Sequence, residues 1–284
     1  MTAVLVDGFV LGLQFAILGV GLTLVYGLGG VVNLAHGQMA VLAAIVTARL
    51  MDGGLPTLAA IALGVLGTGL LGILLDRTLM QPVYRERGEA RILLGLLLML
   101  GVGFIIDGVL EWRYPIEALN LRIAGDPFTV GGLKIRRGSV LASGVTIAVG
   151  LALVAFFRLT TFGRATRSVI QDEEGARLCG INPSTVRTVI FGLSGVLAGV
   201  VAITQAMTSP VVSTAGVSLT IFALIVAVVG GLGSVSGAFM AGILLGIVNT
   251  LSAFYIGTFV SSIILVVAAA VTILFRPQGL LGSA

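Results

Sequence analysis

Apolar residues run along nearly the whole chain in long, continuous blocks at roughly 6–26, 57–75, 92–112, 138–157, 188–208, 238–256 and 258–275, with shorter or less clean blocks at about 34–51 and 217–229. A helix crossing a bilayer needs about 20 mostly apolar residues, and these blocks meet that length. None alternates with a period of two, which excludes a transmembrane barrel. The pattern predicts an all-α polytopic transmembrane bundle, one domain over residues 1–284, with about eight spans.

The long polar interruption of the second half lies at 158–187, where TTFGRATRSVIQDEEGARLCGINP reads as a short surface helix of roughly two turns. Asp172 is placed to cap it, Glu173 and Glu174 fall in its first turn where the helix dipole favours acids, and Gly180 and then Pro183 stop it. Gly175 and Ala176 lie inside it. A helix this short is not stable alone, so it leans either on the membrane domain or on a partner protein. The plainer reading is a well-capped loop helix with no partner.

Composition places the chain in a lipid bilayer: 57% of residues are hydrophobic, 10% are charged and the mean hydropathy is +1.16. The net charge of +4 comes from fifteen Arg and one Lys, without a basic stripe interleaved with aromatics, so no nucleic-acid role is expected. One cysteine, Cys179, excludes an internal disulfide and a cysteine metal cluster. The opening MTAVLVDGFV carries no basic run, so no cleaved leader is expected.

Arginines gather at 77–91, at 158–187 and at Arg276, and the positive-inside rule puts those three regions in the cytoplasm. The stretch 113–137 is then external, although it carries Arg113, Arg122, Lys134, Arg136 and Arg137 against Glu117 and Asp126. The amino terminus lies outside and the carboxyl terminus inside.

Two glycine clusters echo each other, Gly27-Leu28-Gly29-Gly30-Val31-Val32 and Gly231-Leu232-Gly233-Ser234-Val235-Ser236, the second preceded by Gly230. Glycine costs about 1 kcal/mol in a helix interior, and backbone groups freed in lipid need partners. The clusters therefore read as broken or re-entrant segments, and counting both as turns between helices raises the spans to nine. Paired breaks in two halves point to duplication and to a substrate path; tight small-residue helix packing accounts for them equally well. Beside the first break lie Asn33, His36 and Gln38. A single histidine without an acidic partner makes no metal site or proton relay, so His36 reads as a hydrogen-bonded cap of the broken helix before a gating contact. Asp107 and Glu111 share a face four residues apart and read as a solvated pair at the interface.

The only lysine, Lys134, sits between Leu133 and Ile135, so the chain has no phosphate-binding Gly-Lys-Ser/Thr loop and no cofactor of its own is expected. No nucleophile and base assemble into an enzyme site. A self-sufficient secondary transporter or channel is disfavoured by the lack of acidic clusters at mid-membrane.

GLTLVYGLGGVVNLAHGQMAVLAA, ALIVAVVGGLGSVSGAFMAGILLGIVN and the ending FRPQGLLG together resemble the LivH-type permeases of high-affinity branched-chain amino acid ABC importers. The resemblance runs over nearly the whole chain. It implies a bacterial inner-membrane permease working with two cytoplasmic ABC ATPase subunits that bind the ATP, a second homologous (LivM-like) permease or a second copy, and an extracytoplasmic substrate-binding protein. It extends to permeases of urea and short-chain amides, the alternative cargo. Glu174-Gly175-Ala176, then Gly180 and Ile190, is similar to the Glu-Ala-Ala…Gly…Ile signature that such permeases offer their ATPases, with Gly175 in place of the first Ala and no Leu-Pro after Ile190. By that resemblance 158–187 is a cytoplasmic coupling loop with Asp172, Glu173, Glu174, Gly175, Ala176 and Gly180 as ATPase-coupling residues, while Asn33, His36, Gln38, Gly230, Gly231 and Gly233 lie on the substrate path or gate.

Overall fold

The computed structural model describes residues 2–115, 117–121, 128–130, 133–276 and 278–281; Pro277 of the FRPQGLLG run, and Arg122 and Asp126 of the 113–137 stretch, lie outside the described residues. The helices are α1 (Thr2–Gly29), α2 (His36–Asp52), α3 (Thr57–Leu75), which runs on through a π turn (Asp76–Met80) into α4 (Gln81–Val83), α5 (Gly88–Arg113), α6 (Arg137–Leu159), α7 (Thr161–Gln171), α8 (Glu173–Leu178), α9 (Pro183–Ala206), α10 (Gly216–Gly230), α11 (Val235–Tyr255) and α12 (Thr258–Phe275). Among the described residues sheet is confined to two small antiparallel pairs in the loops, β1 (Ala118–Leu119) with β4 (Val211–Val212), and β2 (Phe128–Val130) with β3 (Leu133–Ile135). The bundle is all-α, as the hydrophobic pattern predicts.

Among the described residues eight helical segments are long and apolar enough to cross a membrane. Helix α2, with 17 residues, falls short by itself. It makes a further crossing together with the non-helical residues 30–35. A β-carbon on Gly29 would lie 3.0 Å from the Tyr84 ring at the arginine-rich end, and one on Gly103, well along α5, would lie 3.6 Å from Ala35. At the far end of α2, Arg49 pairs with Glu117 beyond the end of α5. Residues 30–52 thus rise alongside α5, whose 26 residues span about 39 Å. Counted with that segment, the described residues make nine crossings, so α1 begins and α12 finishes at opposite ends of the bundle.

Helix α1 is the core of the bundle and almost wholly buried, whereas α5 and α12 are mostly exposed and turn Leu and Val side chains toward lipid. Small residues bring the backbones together. Gly246 of α11 sits on the backbone of Gly12, Gly242 sits on Ala16, and a β-carbon on Gly8 would lie 3.1 Å from Ile247. Without a hydrophobic force between helices in lipid, such stripes supply close van der Waals contact. The same device joins α3 to α9, where Gly72 faces Phe191 and Gly195 faces Thr68.

Candidate functional site

The polar segment at 158–187 holds the short helix that its sequence predicts, α8, and a further helix before it, α7, the two divided at Asp172, which leaves helical geometry at φ −153° and ψ 105°. Thr160 caps α7, its hydroxyl accepting from the Gly163 N–H at 3.0 Å. Asp172 caps α8 as its sequence position predicts, Oδ1 accepting from the Glu174 N–H at 3.0 Å. Gly180, at φ +82°, closes α8: its N–H donates to the Arg177 carbonyl at 3.0 Å and that of Ile181 to the Ala176 carbonyl at 3.0 Å, the paired bonds of a Schellman ending. Pro183 does not stop α8. It opens α9 at the first helical position, where its missing N–H is harmless, and Asn182 Oδ1 caps α9 at 3.0 Å from the Ser184 N–H. Gly175 has a local reason, since a β-carbon there would press to 2.6 Å of Asp172 Oδ2.

Helix α8 is anchored on one side and bare on the other. Ala176 is buried, Leu178 is 87% exposed and Cys179 is exposed. Glu174 points to solvent, and it is Glu173 that ties α8 down, accepting from Arg177 Nη2 at 2.7 Å and from Arg187 Nη2 of α9. Burial alone would raise the Glu173 carboxyl, but Arg187 and Arg177 outweigh it and hold the group below the usual carboxylate range.

Arg187 is the hub of this end. Its Nε donates to the Leu28 carbonyl near the end of α1 at 3.0 Å, and its guanidinium lies 4.5 Å over the Tyr84 ring. The Tyr84 hydroxyl donates to Asp76 Oδ1 at 3.2 Å, and Asp76 Oδ2 also accepts from Thr188 at 2.6 Å and Gln81 at 3.2 Å. Burial, reinforced by Asp76, pushes the Tyr84 phenol well above its ordinary value and keeps it a donor. The sequence reading singled out neither Asp76, Tyr84 nor the pairing of Arg187. One signal was available: Asp76 is the lone acid in the apolar stretch 57–83, and an ionisable group in a span faces the protein interior by default.

The first break forms a second polar cluster deep in the bundle. Gly30 at φ +64° turns the chain out of α1, and Asn33 Oδ1 accepts from the Ala35 N–H at 3.0 Å to start α2. Thr220 of α10 supplies the missing cap, its hydroxyl accepting from the Gly37 N–H at 3.0 Å and donating to Gln38 Oε1 at 2.9 Å. His36 opens α2 wholly buried, with Nδ1 3.3 Å from Ser194 Oγ. Asp107 is not the solvated partner of Glu111 that its spacing suggests. It is half-buried, accepting from Gln38 Nε2 at 3.2 Å, while Glu111 is exposed. Asn33, His36 and Gln38 are each no more than 4% exposed, so this cluster is closed in the present conformation.

The structure does not bring Gly230, Gly231 and Gly233 to that cluster. They lie at the other end of α10, whose 15 residues rise about 22 Å from Gly216 beside Gln38. The two echo segments do meet, a β-carbon on Gly27 lying 3.4 Å from the Gly233 Cα. Their conformations differ: Gly231 and Gly233 have φ +102° and +92°, while Gly27 and Gly29 are helical. The carboxyl-terminal tail covers the end of α10, with the Leu280 N–H donating to the Val229 carbonyl at 2.9 Å and Leu281 to Gly230 at 3.3 Å, satisfying carbonyls that lipid would leave bare. Among the described residues no group of three or more His, Cys, Asp or Glu is placed to hold a metal.

Known proteins match this architecture and sequence. The chain is 29% identical to the high-affinity branched-chain amino acid transport system permease protein BraD of Pseudomonas aeruginosa over 98% of this chain and 94% of that one. It is 27% identical to LivH of Escherichia coli over 97% and 94%, and 28% identical to a probable LivH of Methanocaldococcus jannaschii over 94% and 88%. In fold it is similar to a chain of PsaBC from Streptococcus pneumoniae in complex with Fab, at TM-score 0.51 and 15% identity over 96% of this chain and 91% of that one. Residues 4–275 match the family of branched-chain amino acid transport system permease components, and the chain belongs to that family of multi-pass, non-enzymatic membrane subunits.

Proposed function

We propose that the chain is the translocating subunit of an ATP-driven importer of branched-chain, hydrophobic amino acids in a bacterial inner membrane. The observation that carries this reading is the wiring of α8: Glu173 is paired to Arg187, and Arg187 in turn holds the Leu28 carbonyl where α1 ends and the non-helical segment begins. A push on α8 therefore reaches the broken crossing through one side chain. The exposed Leu178 offers the apolar contact that an ATPase groove would grip. The ATPases hold the ATP; this chain has no nucleotide loop.

Ten of the sixteen basic residues, including all those of 77–91 and 158–187, lie at the end bearing α8, which makes that end cytoplasmic and the amino terminus external. A binding protein delivers cargo at the other end, and a second permease, homologous or identical, completes the path. Asn33, His36 and Gln38 form the closed gate, and Gly230, Gly231 and Gly233 the flexible joint at the base of α10. The mechanism is alternating access between two packings of the bundle.

The test is reconstitution in vesicles with an ABC ATPase, a second permease and a binding protein from the same cell. Leucine uptake dependent on ATP and on the binding protein supports the reading. Uptake by this chain alone would make it a secondary transporter or channel, and competition by urea or short-chain amides in place of leucine would change the cargo.

A further inference from the structure

A cavity of about 1080 Å³ opens at the arginine-rich end between α1, α6, α7 and α11. That is about the upper end of the roughly 300–1,000 Å³ of ordinary small-molecule pockets, far more room than a small anion fills. Its upper walls are apolar, formed by Leu24 of α1, Leu153, Val154 and Phe157 of α6, and Phe239 and Met240 of α11. Val154 and Met240 are 51% and 59% exposed, so these walls continue onto the surface that faces lipid. The floor is polar, with Arg158, Arg167, Ser236 and Gln278. Among the described residues no Asp or Glu lines the cavity. Arg158 forms no ion pair among the described residues, and Arg167 donates to the Phe157 carbonyl, which holds it beside Arg158's turn of α6.

The depth is that of a lipid. Gly150, which also lines the cavity, lies eight residues before Arg158 on α6, about 12 Å farther into the bilayer. A cation pair at the interface below an apolar slot open sideways to hydrocarbon matches a phosphodiester headgroup with an acyl chain above it. A free anion would use only the exposed floor and leave the slot empty.

We propose that this cavity is a binding site for an anionic phospholipid of the leaflet at the arginine-rich end, with Arg158 and Arg167 on the phosphate and an acyl chain between α6 and α11. The inference is independent of cargo and of the coupling scheme. The full-length chain in detergent, titrated with phosphatidylglycerol or phosphatidylcholine and read by native mass spectrometry, is expected to bind phosphatidylglycerol roughly tenfold tighter. Arg158→Gln with Arg167→Gln is expected to abolish that preference, while Arg85→Gln with Arg87→Gln, the same charge change outside the cavity, leaves it intact. Equal binding of the two lipids, or equal loss in both double variants, would overturn the site. Displacement of the lipid by inorganic phosphate would show a small-anion site instead, and displacement by leucine a vestibule for cargo; either overturns the lipid assignment. As a check independent of the arginines, Met240→Trp in a Trp112→Phe background is expected to be quenched saturably by phosphatidylglycerol brominated on its acyl chains. Absence of saturable quenching would place the acyl chain elsewhere and sink the proposal.

Discussion

Glu173 on α8 and Arg187 on α9 form an ion pair in which the arginine side chain is 4% exposed and the glutamate 33%. The inequality sets the consequences of breaking it. Removing Glu173 strands a buried guanidinium, whereas removing Arg187 leaves a glutamate still held by Arg177 but deprives the Leu28 carbonyl of its donor. In a double-mutant cycle of Glu173→Gln and Arg187→Gln the coupling energy is expected at about 1–3 kcal/mol. Each single variant is expected to retain assembly with the ATPase and to hydrolyse ATP with less leucine moved per ATP. An unchanged uptake-to-hydrolysis ratio in both would show that the pair only anchors α8.

The same pair fixes a pH dependence. Arg187 and Arg177 hold the Glu173 carboxyl below its ordinary value, so its contribution is fully present above the ordinary glutamate pKa and is lost as the pH falls through the lowered one. Thermal stability of the purified chain is expected to show no Glu173-dependent change from pH 8 to 5. Below that range the parental chain loses stability relative to Glu173→Gln. A gap that instead closes between pH 8 and 6 would contradict the lowered value.

Leu178 is 87% exposed, so replacing it disturbs no packing in this chain. Leu178→Asp is expected to change stability by no more than about 0.5 kcal/mol while weakening association with the ATPase by roughly tenfold or more. Glu174→Lys, also at a solvent-facing position, adds a cation at the positive helix end and costs locally about 0.3–1 kcal/mol. Undiminished ATPase co-purification with both variants would remove α8 from the docking surface.

Sequence carried the fold a long way because lipid imposes one rule, continuous apolar length, and α3, α5, α6, α9, α11 and α12 obey it within a few residues. Asp172, Gly180 and the turn at Gly30 were legible for a similar reason: capping and positive φ are decided locally. What was not legible depends on neighbours distant in sequence. Gln38 reaches Asp107 69 residues away, Thr188 reaches Asp76 112 away, and Thr220 caps α2 from 183 away. No local pattern distinguishes Glu173, which is tied down, from Glu174, which is free of the bundle. The echo of Gly27 and Gly231 misled in part, since identical letters adopt a helix in one place and a left-handed turn in the other.

Orientation has a direct assay. In a Cys179→Ser background, a cysteine at the exposed Glu86 is expected to resist a membrane-impermeant thiol reagent in intact cells, and one at the exposed Asn120 to react. Reaction in the reverse sense would put α8 outside the cell, where no ATPase can reach it.

The glycine joint can be separated from ordinary turn strain by choosing positions with the same backbone requirement and equal space. Gly233 has φ +92° and its nearest neighbour to a β-carbon is the Gly27 Cα at 3.8 Å; Gly54, in the turn between α2 and α3, has φ +87° and nothing within 4 Å. Alanine at either meets no clash, so both substitutions are expected to cost about 1–2 kcal/mol through the left-handed conformation alone. Equal stability loss with unequal function is the informative result. Gly233→Ala is expected to reduce uptake at saturating binding protein while Gly54→Ala transports at the parental rate, because only the first stiffens the base of α10. Asn33→Ala and His36→Ala, which remove the turn that starts α2 and the contact to Ser194, are expected to slow uptake with the assembly intact. If Gly233→Ala, Asn33→Ala and His36→Ala all transport like the parent, neither break is part of the gate, and both clusters serve only to let helices pack.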